Sequence, residues 1–92
     1  MPVTKQHYGI SVQDLINAGI LRPGDSITCE PRRGEIYSGH IGPQGEIVLG
    51  GRTFYSPTEA AKTLAGNSRN GWDDIHAGGR RLREYRDEYL GR

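Results

Sequence analysis

The stretch GGRTFYSPTEAAKTLAGNSRNGW, residues 50–72, decides the fold. Arg52, Thr53, Phe54 and Tyr55 read as a short strand entered through a Gly-Gly turn. Ser56-Pro57-Thr58-Glu59 then opens a helix as a capping box. A serine at the cap accepts the orphan amide of the third helical residue, and a glutamate there reaches back to the cap's own N–H. Pro57 falls at the first helical position, where a missing donor costs nothing. Gly66 suits the left-handed residue that closes a helix. The reading predicts a helix over Pro57–Ala65, with Ala60, Ala61 and Leu64 as a small-residue face able to approach a sheet closely.

Working outward, residues 1–8 read as a flexible lead-in, and 9–92 as a single folded unit. Ser11-Val12-Gln13-Asp14 repeats the helix-start signal, with Val12, Leu15 and Ile16 on one face and Gly19 as the stop. Arg22-Pro23-Gly24-Asp25 is a turn, and 26–30 a strand with Ile27 and Cys29 on one side. A second turn at Pro31-Arg32-Arg33-Gly34 returns Glu35–Ile41 as its hairpin partner, with Tyr37, Gly39 and Ile41 inward. Gly42-Pro43-Gln44-Gly45 leads into 46–49. Beyond the central helix, 67–70 is an exposed polar loop, 72–77 a further strand, and 80–90 a last helix after the Gly78-Gly79 break. The expected class is therefore α+β: a small antiparallel β-meander with about three helices, N-terminal, central and C-terminal, packed on it.

Composition narrows the function. Area scaling for 92 residues buries roughly 64% of the unfolded surface, enough for one modest core. Twelve basic residues against eleven acidic ones leave a net charge of +1, which by itself points to neither nucleic acid nor membrane. Ten of those twelve are arginine, whose planar fork suits phosphates and guanine edges and stacks on rings. GC-rich coding accounts for that bias equally well. The single cysteine, Cys29, excludes an internal disulfide and a cysteine zinc site. No apolar run reaches the ~20 residues of a membrane helix and no signal core opens the chain, so a cytoplasmic protein is expected.

No catalytic set, metal site or cofactor motif emerges. His7, His40 and His76 lack ligand spacing, and Cys29 has no activating neighbour in sequence. Asp73 and Asp74, adjacent on the expected strand, point to opposite faces. Binding residues are better represented. Arg32 and Arg33 occupy a hairpin tip, and Arg52 precedes Phe54 and Tyr55. Ser68, Arg69 and Asn70 precede Trp72, and Arg80 and Arg81 begin the last helix. Guanidinium groups interleaved with aromatics fit a nucleic-acid surface. Trp72 fits a core anchor at least as well as a stacking platform, and acidic neighbours dilute every arginine group. On residues alone, a nucleic-acid binder and a protein-interaction module stand level, with an enzyme well behind.

The ordered set resembles the RAMA domain, named for its association with restriction enzymes and adenine methylases. The matching pieces are Asp14-Leu15-Ile16-Asn17-Ala18-Gly19-Ile20-Leu21, Arg22-Pro23-Gly24-Asp25, the glycine turn before Ile47, and Gly51-Arg52 before Tyr55-Ser56-Pro57-Thr58. Ala60-Ala61, Gly66, Asn70-Gly71-Trp72, Leu82 and Arg86 follow in order. The resemblance implies a non-catalytic DNA-binding accessory module, sensing adenine methylation in some relatives, found beside DNA methylases, restriction nucleases and chromatin-linked proteases. It places Ser56, Asn70 and Trp72 at signature positions as candidates for DNA or base contact. Such domains often carry a second aromatic shortly after the tryptophan, where this chain has Asp74-Ile75-His76, so a paired aromatic cage is not implied. The expected partners are double-stranded DNA, methylated or not, and a methylase or nuclease protein. The alternative is docking on such a protein through Trp72 and Tyr55.

Overall fold

The computed structural model describes residues 9–91. The expected lead-in over 1–8, including His7, lies outside the described residues. Alternation builds the sheet. In β1 (Ser26–Arg32), Ile27, Cys29 and Pro31 are buried while Ser26, Thr28, Glu30 and Arg32 are exposed, the period of a sheet with one face on a core. β2 (Glu35–Ile41), β3 (Ile47–Leu49) and β4 (Arg52–Phe54) continue as an antiparallel meander. β5 (Ile75–Ala77) returns to the other side of β1, and β6 (Arg80–Arg81) adds beyond it. The order is β4-β3-β2-β1-β5-β6, with every pair antiparallel.

Among the described residues four helices accompany this sheet: α1 (Val12–Asn17), α2 (Pro57–Ala65), α3 (Gly71–Asp74) and α4 (Leu82–Leu90). The fold is α+β, as expected. Leu15, Ile27, Ile41, Ile47, Leu49, Ile75 and Leu82 are fully enclosed where helices meet sheet. Tyr37, Gly39 and Ile41 do point inward, and Ile36 on the opposite face is 63% exposed.

The helix starts follow their sequence signals closely. At α1 the box is complete: Ser11 Oγ accepts from Asp14 N at 3.2 Å, and Asp14 Oδ2 accepts from Ser11 N at 2.9 Å. The Ile20 amide closes on the Leu15 carbonyl at 2.9 Å and Gly19 on Ile16 at 3.0 Å, a Schellman ending that satisfies the last carbonyls. At α2, Ser56 Oγ accepts from Glu59 N at 3.1 Å. Glu59 does not reach the amide of Ser56; its Oε1 accepts from Tyr55 N at 2.9 Å, one residue earlier, and so pins the strand exit. Gly66, at φ +79°, closes the helix.

Three expectations are corrected. Pro31 lies within β1, not in the following turn, which narrows to Arg33 and Gly34. β5 pairs with β1 only as far as Cys29, so Pro31 sits on a locally free edge with irregular register, where its missing donor is tolerated. Residues 71–74 form a helical turn and not the start of a strand. Asn70 caps it, with Oδ1 accepting from Trp72 N at 3.1 Å, and Asp73 and Asp74 favour the positive end of a helix. That turn adds a helix, among the described residues, to the three expected. Finally, Gly78-Gly79 turns a β5–β6 hairpin, so Arg80 and Arg81 are extended and the last helix begins at Leu82.

Gly71 is buried, and a Cβ there would overlap the Pro57 carbonyl and crowd the Thr58 amide. The start of α3 therefore lies directly on the start of α2. Gly71→Ala is expected to lower stability by roughly 1–3 kcal/mol, the usual cost of forcing atoms into a filled site. Urea denaturation of the variant would check it, with an unchanged midpoint as the contrary result.

Candidate nucleic-acid interface

The three residues Asn70-Gly71-Trp72 each hold a structural position. Asn70 caps α3, Gly71 permits its contact with α2, and Trp72 packs into the core at 9% exposure. The Arg86 guanidinium lies 5.0 Å from the indole centroid, within cation–π range. Ser68 is exposed on the loop, as is Asn70.

The arginines divide by partner. Arg69 is half-buried: its Nε donates to Asp74 Oδ2 at 2.9 Å and its Nη1 to the Pro31 carbonyl at 3.2 Å. It thus ties the 67–70 loop to the free edge of β1, and the hydrogen bond it donates to Asp74 holds its guanidinium above its usual pKa. Arg32 donates to Glu35 Oε1 at 2.8 Å and to the Ala65 carbonyl at 2.6 Å, joining the β1–β2 hairpin to the end of α2. Hydrogen bonds from Arg32 and then Tyr37 lower the Glu35 pKa. Arg80 faces Glu84 at 3.5 Å and Glu88 at 3.9 Å, and Arg83 faces Asp73 at 3.4 Å. Among the described residues, Arg22, Arg33, Arg52 and Arg81 are exposed with no carboxylate partner. Arg52 lies 5.3 Å from the Phe54 ring centroid.

Register places these groups. Arg33 lies at the β1–β2 turn, and Arg52 lies on the edge strand β4 just after the β3–β4 turn. Arg80 shares a cross-strand row with Arg52, through Leu49, Gly39, Ile27 and Ala77, but stands with Arg81 on β6, the opposite edge of the sheet. Tyr55 and Ser56 lie just past β4, beyond the row formed by Phe54, Ile47 and Ile41. The eleven site residues expected from sequence therefore do not form one patch. What the fold does bring together is Tyr55, Ser56 and Trp72, which share a cleft of about 310 Å³ between the starts of α1 and α2. Ser11, Gln13 and Gln44 complete its polar lining. Those three carried no functional signal in sequence, because capping and turn formation already accounted for them.

Titratable groups elsewhere offer little chemistry. Cys29 is fully buried in β1, and burial pushes its thiol up to about 11, with the nearby Asp74 charge reinforcing and Arg69 opposing. It stays protonated near neutral pH. Among the described residues, no three His, Cys, Asp or Glu side chains converge as a metal site, and no helix is long and apolar enough to cross a membrane.

Comparison with known proteins settles the family. A family model described as Restriction Enzyme Adenine Methylase Associated, RAMA, matches residues 1–92. The chain belongs to the RAMA family. It is also similar to an uncharacterized protein of Dictyostelium discoideum, 32% identical over 86 residues, which are 90% of this chain and 18% of that protein. The chain thus spans about a fifth of the length of that curated relative. In this RAMA chain, the Asn-Gly-Trp segment and the Ser-Pro helix start are two sides of one junction, since Gly71 meets Pro57.

Three outcomes follow from the site. Folding holds the Cys29 thiol protonated, so its contribution to stability is complete below its ordinary value of 9.0 and is lost as pH rises toward about 11. Thermal melts across that window should show a decline that Cys29→Ala makes shallower. Arg69→Ala should lower the urea midpoint by leaving Asp74 and a backbone carbonyl without their donor. Arg33→Ala should fall within about 0.5 kcal/mol of wild type, as expected of an exposed site, in the same denaturation series.

Proposed function

We propose that this RAMA chain is a non-catalytic DNA-binding accessory module of a restriction-modification or chromatin-linked system, discriminating adenine methylation in duplex DNA. The observation that carries the reading is the whole-chain match to a family described as associated with restriction enzymes and adenine methylases. Geometry supports it through Arg22, Arg33, Arg52 and Arg81, whose guanidinium groups remain open to phosphates. Arg32, Arg69 and Arg80 are engaged within the fold and serve mainly to hold its shape. About four phosphate contacts imply modest affinity with a shallow salt slope. One buried methyl group contributes about 0.8 kcal/mol, so methyl recognition by contact alone gives roughly fourfold selectivity.

A second reading, docking on a methylase or nuclease protein, is favoured by the two large apolar side chains left in solvent. Tyr55 is 77% exposed and Ile36 63%. Trp72 cannot serve as the anchor of such a contact from the core.

Fluorescence anisotropy with methylated and unmethylated duplexes at two salt concentrations tests the first reading. Binding should weaken with salt, and Arg33→Ala, Arg52→Ala and Arg81→Ala should each reduce the logarithmic salt slope by about 1. No binding at low salt would remove DNA as the ligand and leave the protein-docking reading.

A further inference from the structure

We propose that the cleft between the starts of α1 and α2 receives a single nucleobase taken out of its stack, with Tyr55 as the stacking ring. This rests on the DNA-binding reading above and names the part of DNA that the cleft would take. At about 310 Å³ the space lies at the lower edge of the roughly 300–1,000 Å³ of small-ligand pockets. That accommodates one heterocycle and excludes a base pair still within a duplex.

Its chemistry selects a neutral, planar, hydrogen-bonding guest. Among the described residues, no Asp, Glu, Lys, Arg or His lines it. Two helix starts open on it, which in isolation would favour an anion. Here each start already carries its own carboxylate: Asp14 accepts from Ser11 N, and Glu59 from Tyr55 N. A phosphate would meet those charges, whereas an uncharged base would not. Ser11, Gln13 and Gln44 supply hydroxyl and amide groups of both polarities for base edges. The Gln13 amide nitrogen donates to Asn17 Oδ1 at 3.0 Å, which orients that side chain in advance.

The aromatic geometry points the same way. Tyr55 leaves 77% of its surface in solvent while its backbone is pinned by Glu59 at 2.9 Å, so the exposed ring stands on a fixed base. Trp72 contributes a fixed wall, held by the core around it and by Arg86 over its ring. A rigid wall and an exposed ring lining one cleft suit a flat guest, and stacking on such rings tolerates any base.

Trp72 is the only tryptophan, so its emission reports directly on the cleft. Two titrations of the full chain test the proposal: one with free adenosine, the other with a duplex carrying 2-aminopurine. Adenosine should quench Trp72, and 2-aminopurine emission should rise on binding as the base leaves its neighbours. Tyr55→Ala should weaken both by roughly 5- to 100-fold. Gln44→Ala, at an exposed turn, provides a second variant that leaves the helix caps intact. Duplex binding with flat Trp72 and 2-aminopurine signals, unaltered by Tyr55→Ala, would overturn the cleft and leave the DNA reading standing. Quenching by adenosine without duplex binding would sustain the cleft and remove the DNA reading.

Discussion

The helical side of this molecule depends on one backbone contact, that of Gly71 with the carbonyl of Pro57. Because no side chain intervenes, the α3 turn rests directly on the first turn of α2, and Trp72 enters the core beside it. From there Asp74 reaches Arg69 and Asp73 reaches Arg83. The same turn directs the chain toward the free side of β1, so β5 completes the sheet there and not beyond β4. A bulkier residue at 71 would displace all of these together, since packed interiors transmit strain.

Arginine has two uses in this fold. Arg32 and Arg69 satisfy backbone carbonyls where regular hydrogen bonding stops: Ala65 at the end of α2, and Pro31 on the edge that β5 leaves free. Such sites favour a long side chain with several donors in a fixed plane. Arg86 covers the indole and Arg80 the Tyr85 ring, at 4.5 Å from its centroid. An arginine-rich composition with a net charge of +1 is therefore explained in large part by internal fastening. The electrostatic surface left over is small.

That balance is in keeping with an accessory module. The segment of the Dictyostelium protein that this RAMA chain matches is 18% of that longer protein. Linked modules raise one another's effective concentration, so a weak contact within one of them can still direct the whole. The cleft at the junction of the two capped helices has no charged side chain among its described lining residues.

Sequence by itself determined the local features. Ser11 and Ser56 as caps, Gly19 and Gly66 as stops, and the inward row Tyr37, Gly39 and Ile41 all follow from interactions spanning a few residues. So did the family, through motifs in their order. Tertiary structure alone decided the partner of β5, the roles of Arg32 and Arg69, and the burial of Trp72. Each depends on groups brought together from distant positions, such as Arg69 and Pro31, 38 residues apart. A guanidinium in a polar loop reads identically whether it meets a phosphate or a carbonyl. Only the folded chain, by setting a backbone edge against that loop, distinguishes the two.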